Sequence, residues 1–372
     1  MKKIRILGCH TNFKEKRDGS FIYSGVDLAR LVLPLKYLDK DRFEVEFEFD
    51  LLRQYKTVEE LTKHYDILFF SYIHNPMLYI SLRVCSLKSK TKLVVDIDDN
   101  IWDVDPSHPF YKGDYAPGSE NLFNRTAILL DSDYVTTTNV YLKNKILEHV
   151  GRSRDSITIF HNFIDLTMYD HKNIKPKEET NEIVIGWMGG SSHAKDINKL
   201  EFIEALKQIM FKYPNVRFKT TGYYPELKAL FGFKYQYTLC RSDVNRFISE
   251  VWTEMGVCDI FVAPLSDSPY SKSKSYIKLL EYGATKRPVV AEEIDPYIEF
   301  SGLRPKDKGV YLVKTTDQWF NALEKLIVSK DHREDMGGRL YQEVLDNHTI
   351  QKNVKKYEDY FTQLTIDKNK AR

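Results

Sequence analysis

Cysteine is scarce in this chain: four residues in 372, at positions 9, 85, 240 and 258, with no CxxC pair. That excludes a disulfide scaffold and a cysteine-rich metal site. It leaves buried, reduced thiols, three of them (Cys9, Cys240, Cys258) at or near expected strands, as in a cytosolic protein. Long apolar runs are missing too, and none approaches the ~20 residues of a membrane-spanning helix. The start, MKKIRILGCHTNF, turns polar after one strand's worth of apolar residues, so no secretory signal is read there. Neither sign of charge dominates: 55 Lys and Arg against 53 Asp and Glu give a formal +2. A nucleic-acid partner is neither required nor excluded by that balance, because a local patch can form without a global excess. No short repeat or low-complexity tract is present. A soluble, cytoplasmic protein without a membrane span is expected, its oligomeric state left open.

What is present is ordinary globular composition, 42% hydrophobic and 29% charged, with 24 Tyr and 21 Phe available for stacking surfaces as well as cores. The length exceeds what one core usually supports, so two domains are expected. Strand patterns at Ile4–Cys9, Phe43–Phe49, Asp66–Tyr72, Lys92–Ile97, Tyr134–Thr138 and Ser156–Phe160 alternate with helical patterns. Several strands, ILFF and KLVV among them, are apolar at consecutive positions, as expected when helices cover both faces of a parallel sheet. A polar, aperiodic stretch, HKNIKPKEETNE, follows, and then the alternation restarts with strands from Ile183–Met188 to Gly309–Val313. The reading is α/β, with two Rossmann-like domains: 1–168, a linker at 169–182, and 183–347. A last helix in 348–372 is expected to pack back toward the first domain.

Candidate chemistry lies at strand ends, where open α/β sheets gather ligands. In the second half, the strand ending at Ala263 runs through Ser271, Lys272, Ser273, Lys274 and Ser275 into a helix expected at Lys274–Ala284. Helix-start N–H groups, the Ser271, Ser273 and Ser275 hydroxyls and the lysine ammonium groups together suit a phosphate or pyrophosphate. Glu281, two turns on, is placed to accept bonds from sugar hydroxyls. A second loop, Gly189-Gly190-Ser191-Ser192 followed by His193 and Lys195, reads either as another anion cradle or as a tight turn with a solvated lysine. Lys274, Lys278 and Glu281 share a helix stripe whose bland account is a surface ion-pair ladder.

In the first half, the strand Lys92–Ile97 ends in DIDDN, with Asp96, Asp98 and Asp99. Capping and loop hydrogen bonds account for one or two of these carboxylates. The alternative is a DxD site, since Asp96 and Asp98 point to one face of a strand and suit Mg²⁺ or Mn²⁺. Tyr23, Ser24 and Gly25 open the first helix. His108 follows the aspartates, and His161 closes the sixth strand; a lone histidine is more often structural than catalytic.

These residues resemble a family: nucleotide-sugar glycosyltransferases of the GT-B fold, of the group-1, retaining type. The likeness rests on CDIFVAPL, on SKSKSYIKLLEYGATKRPVV and on IGWMGGSSHAKDI. In DIDDN…HPFY, TTTNVYLKNKI and IFHNFID the chain is similar to one phage and bacterial branch. The resemblance implies two Rossmann-like domains facing each other across a cleft. It implies transfer of a sugar from a nucleoside-diphosphate donor, a UDP-sugar first, to an acceptor hydroxyl with retention, and no required cofactor or metal. Glu281 would hold the ribose; backbone near Lys274–Ile277, with Ser273, Ser275, Tyr276 and Ile277 at the donor's edge, would hold the diphosphate, and Lys195 or Lys274 would neutralise it beside Gly189, Gly190 and Ser191. Asp98 or Asp99 would position or deprotonate the acceptor, with Tyr23, Ser24, Gly25, Asp96, His108 and His161 on the acceptor side. The acceptor would be a hydroxymethylated base in phage DNA, or else a cell-surface glycan or lipid-linked sugar. The family carries a second glutamate where this chain has Ser273. The alternatives are a metal-dependent GT-A-like transferase using Asp96 and Asp98, and a non-catalytic nucleotide-sugar or nucleic-acid binding protein.

Overall fold

A computed structural model describes the chain except residues 1, 11–13, 16–20, 23, 49–56, 74, 109–110, 175–176, 178–179, 191–192, 240–242, 303–304 and 371–372. Its strands, in chain order, are β1 (Ile4–His10), β2 (Lys14–Glu15), β3 (Phe21–Ile22), β4 (Phe43–Glu48), β5 (Ile67–Tyr72), β6 (Lys92–Ile97) and β7 (Tyr134–Thr137). Then follow β8 (Ile157–Ile159), β9 (Ile183–Trp187), β10 (Val216–Thr221), β11 (Tyr235–Thr238), β12 (Ile260–Ala263), β13 (Val289–Glu292) and β14 (Val310–Val313). They build two six-stranded sheets, parallel throughout, and the small antiparallel β2–β3 pair. The chain divides into two compact units, Met1–Phe163 with Ile350–Arg372, and Ile164–Thr349.

The first unit orders its strands β4-β1-β5-β6-β7-β8, so the direction of winding reverses between β1 and β5. β5 and β6 are buried almost residue after residue, which is why their sequences are apolar on both faces. The helix Ile350–Lys370 closes this unit's core. Tyr357 stacks on Phe160 at 4.0 Å between ring centroids, Phe361 meets Phe69 edge-on at 5.7 Å, and Glu358 pairs with Arg42 at 3.1 Å.

The second unit orders its strands β11-β10-β9-β12-β13-β14, reversing between β9 and β12. Those two strands are adjacent and in register at Ile260–Ile185 and Phe261–Gly186. Gly186 is required there, because a Cβ would lie 2.7 Å from the Cys258 sulfur and 2.9 Å from the Phe261 ring. Trp187, Phe202, Phe218 and Trp319 fill one side of the core. The polar stretch before β9 is tied to this unit, since the Lys177 ammonium donates to Asp259 at 2.5 Å and to the Glu182 carbonyl at 2.6 Å. Reversal between β9 and β12 makes their outgoing segments neighbours, the place where a doubly wound sheet takes its ligands.

Two helices depart from the sequence expectation. The helix expected from Lys274 starts at Ile277, and a separate turn, Pro269–Lys272, precedes it. Ser268 caps that turn by accepting from the Ser271 N–H, so the serine-rich stretch closes on itself before the helix begins. The sequence pattern over Asp196–Tyr213 predicts one helix, but two form, Ala194–Ile197 and Leu200–Lys212, because Lys199 between them is extended at ψ 129°.

Candidate active site

In the second unit, the segments leaving β9 and β12 are joined by one carboxylate. Asp196 accepts from the Ser266 N–H and hydroxyl, at 3.0 and 2.9 Å, through one oxygen. Its other oxygen lies 2.8 Å from His193 Nδ1. Because a carboxylate only accepts, the proton on that ring nitrogen belongs to the histidine, and Nε2 faces away from Asp196. Asp196 is held below its ordinary value by the His193 and Ser266 bonds, which outweigh the opposing effect of its burial.

The glycine pair after β9 is built into the wall. Gly189 lies on the Trp187 indole so closely that a Cβ would come within 2.5 Å of the ring. Its N–H donates to Thr221 Oγ1 at 2.8 Å, and its carbonyl accepts from the same hydroxyl at 2.7 Å. The Gly190 carbonyl accepts from the His193 N–H and the Tyr224 hydroxyl, while a Cβ on Gly190 would meet nothing. The Gly189 amide expected to meet an anion is therefore already bonded within the protein. Ser191 lies outside the described residues.

The serine–lysine stretch is likewise turned inward in part. Ser273 is completely buried and its hydroxyl donates to the Pro269 carbonyl. Ser271 is buried and bonded to Ser266 and Ser268. The N–H groups of Ser271, Lys272, Ser273 and Lys274 bond within the turn, and that of Ile277 to the Ser275 hydroxyl at 3.4 Å. Tyr276 is buried against Phe300 and His348. The side chains that remain at the edge are cationic. Lys274 Nζ bonds the Tyr270 hydroxyl at 2.9 Å and sits 4.2 Å from that ring's centre. Lys278 Nζ lies 5.7 Å from the centre of the Trp187 ring. Lys278, with burial and Lys274, drives the His193 imidazole down to about 4 against the pull of Asp196. Lys278, Lys274 and His193 thus form one positively biased cluster. Lys195 is exposed, on the short helix Ala194–Ile197.

Glu281, half-buried, accepts from the Tyr169 hydroxyl at 3.1 Å, and its backbone carbonyl accepts from the Trp252 indole N–H at 3.0 Å. Burial pushes its carboxyl up to about 7, opposed by Lys278 and the Tyr169 bond. The residues that sequence reading passed over here are His193 as a tethered ring, Asp196 as the tie, Tyr169 and Lys278. Only the stripe of Lys274, Lys278 and Glu281, whose bland account is a surface ion-pair ladder, hinted at Lys278.

In the first unit, the aspartates separate by role. Asp96 is buried in a bidentate pair with the fully buried Arg30, at 2.9 and 2.7 Å, and accepts from Thr136 at 2.5 Å. Arg30 also donates to the Phe160 carbonyl and to Asn162. This corrects the chelating reading of Asp96–Asp98: Asp96 is the counter-ion of Arg30, and no cluster of three or more metal-ligating side chains exists among the described residues. Asp98 and Asp99 are half-buried, on the rim of a cavity of about 30 Å³ also lined by Ile73, Ile101 and Arg125. His161 Nδ1 lies 2.9 Å from the Thr138 carbonyl, and burial holds the ring below its ordinary value. Arg30 thus ties Asp96 to Phe160 and Asn162, the residues on either side of His161, whereas His108 sits in the loop after β6, its N–H on the Asp105 carbonyl. Ser24 caps the first helix reciprocally with Asp27, and exposed Gly25 follows it; Asp27 also accepts from Ser71 at the end of β5. Tyr23 lies outside the described residues.

No family model matches the chain, and no curated protein does. Solved structures do. A glycosyltransferase from Rickettsia africae ESF-5 superposes with a TM-score of 0.66 at 16% identity, over 98% of this chain and 99% of its own. HepE (Alr3699) from Anabaena, in complex with UDP, gives 0.64 at 13% identity, over 97% and 100%; its complex with UDP-glucose gives 0.63. Trehalose-6-phosphate synthase OtsA gives 0.58 at 13% identity, over 96% and 91%. At such identities the likeness is one of fold. It disposes of the single-sheet GT-A alternative: two parallel six-stranded sheets with flanking helices are the two-domain α/β fold of GT-B glycosyltransferase structures.

Proposed function

We propose that this protein transfers a sugar from a nucleoside-diphosphate donor, a UDP-sugar, to an acceptor hydroxyl with retention of anomeric configuration. The observation that carries the reading is the cluster of Lys274, Lys278 and His193 beside Glu281, at the strand-order reversal of the second unit. Cleaving a sugar–phosphate bond builds negative charge on the departing diphosphate, and ammonium groups fixed beforehand stabilise that charge most where it is greatest. Lys195 is assigned to the same role. Glu281, with Tyr169 behind it, takes the ribose hydroxyls. Ser273 is buried where the family's other glutamate would stand, so sugar recognition is assigned to other groups. In the first unit, Asp98 or Asp99 positions or deprotonates the acceptor, with Asp96 and Arg30 bracing the strand end beneath them. No metal is assigned to the reaction, and the protein is placed in the cytoplasm.

The test is release of nucleoside diphosphate from a panel of UDP- and GDP-sugars, with and without acceptors. Duplex DNA carrying hydroxymethylated cytosine forms one arm, and glycan and lipid-linked sugars form the others. Acceptor-dependent release from a UDP-sugar, unchanged by EDTA and greatly reduced by Asp98→Asn or Asp99→Asn, is the expected result. Loss of activity in EDTA that Mn²⁺ restores would overturn the metal-free mechanism. Failure of the protein to bind any nucleotide sugar would overturn the reading as a whole.

A further inference from the structure

We propose that His193, tethered by Asp196, is a proton-linked ligand of the donor's diphosphate, neutral in the empty site and protonated at Nε2 when the nucleotide binds. The inference rests on the donor reading above and goes beyond it, because that reading needs only fixed cations.

The geometry gives the ring one fixed edge and one working edge. Nδ1 is held 2.8 Å from Asp196, and Asp196 is itself fixed by two bonds from Ser266. The ring cannot turn without breaking its bond to Asp196, and Nε2 is presented on the opposite edge. The ring is only partly exposed. The charges acting on it are Asp196 on its own helix, and Lys278 and Lys274 from the segment after β12. Without an anion the two ammonium groups oppose a third positive charge, and the imidazole stays neutral to about pH 4. A bound diphosphate reverses the sign of that field. Its negative charge offsets both lysines and favours the imidazolium. The proton comes from solvent to Nε2, and the new N–H donates to a phosphate oxygen. No bond of the sugar is made or broken in this step.

The device differs from a lysine at this position in its consequence. A fixed cation there would be repelled by Lys278 and Lys274 in the empty site, whereas His193 acquires its charge only when there is an anion to meet it. Donor affinity should then depend on pH through this ring.

The experiment uses the full chain and UDP as the probe. Histidine side chains are followed by nuclear magnetic resonance from about pH 3 to 8, with and without saturating UDP, and the His193 signal is assigned by its absence in His193→Gln. The expected result is a titration near pH 4 that moves up by about two and a half pH units with UDP, the shift that a tenfold effect at pH 5.5 requires. In parallel, His193→Gln should weaken UDP binding about tenfold at pH 5.5 and far less at pH 8. Taking the ratio of variant to wild type cancels the titration of UDP itself. A His193 titration that UDP leaves in place, or an equal loss of affinity at both pH values, as a merely structural role would produce, overturns the proposal. Absence of UDP binding by the wild-type protein overturns the donor reading, and this proposal falls with it.

Discussion

Replacing Glu281 with glutamine should change how the protein's stability depends on pH, and the structure supplies both the sign and the size. The Glu281 carboxyl is half-buried, bonded to Tyr169, and pushed up to about 7 from an ordinary 4.5. Between those two values the folded protein holds a proton that the unfolded chain has lost. Stability is therefore fully present below about pH 4.5, falls as pH rises through 7, and is constant above. At 1.36 kcal/mol per pH unit, the 2.5-unit interval (7 − 4.5) sets an upper limit of roughly 3 kcal/mol on the loss. Glutamine keeps the shape and the acceptor oxygen for Tyr169 but does not titrate. Urea unfolding at pH 5 and pH 8 measures the effect. The wild-type protein should lose about 2–3 kcal/mol more than Glu281→Gln between the two pH values. Glu292 is also raised to about 7, and His193, lowered to about 4, acts in the opposite sense. Both are present in the two proteins and cancel in the comparison. Identical pH dependence in wild type and variant would refute the buried, proton-holding carboxyl, and with it the idea that the site keeps Glu281 poised near neutrality until a ligand supplies hydroxyl donors.

Arg30→Met should destabilise the first unit by about 3–5 kcal/mol, because Asp96 is left buried and uncompensated; adding Asp96→Leu should restore much of that in urea unfolding. Gly309→Ala should cost about 2–4 kcal/mol by the same measurement, since a Cβ at φ +76° would meet the Met336 carbonyl oxygen at 2.1 Å. Gly189→Ala forces its methyl onto the Trp187 ring. Calorimetry should show UDP binding weakened about tenfold or more, while Gly190→Ala, with open space at its Cβ, leaves it near wild type.

The architecture was legible wherever a local pattern encodes it. β5, β6, β12 and β13 are buried on both faces, and helix-covered parallel strands must be apolar at consecutive positions, so their sequences announce them. Strand order was not legible. No residue in β9 or β12 states that the two are neighbours, because parallel pairing is decided by crossovers tens of residues long. That order is what brings the loop of Gly189 beside that of Lys274. Arg30 and Asp96 are the same case on a smaller scale. Sixty-six positions separate them, and the aspartate-rich strand end reads as a chelating pair until its arginine is in view.

The local bonding of the serine–lysine stretch was hidden for a different reason. Ser, Asn and Asp are good ligand residues because they bond backbone groups well, and for the same reason they bond the chain's own backbone first. Ser268 caps a turn, Ser273 donates to Pro269, and Ser271 ties that turn to Ser266. Each of these duties is local, so each removes a hydroxyl from the set that a ligand would meet. A lysine has no comparable local demand: it has no acceptor atom, and its long stem carries the charge away from the backbone. Hence the ammonium groups of Lys274 and Lys278 stay at the edge, beside the Tyr270 and Trp187 rings, while the serines build the loop. Asp196 shows the complementary rule. Its spacing to His193 suits a helix's first turn and nothing more, yet by bonding Ser266, seventy residues away, it converts a capping position into the tie between two loops. Polar residues at a strand end therefore report function only after their caps and turns have been subtracted, and here the subtraction leaves two lysines, a tethered histidine and a half-buried glutamate.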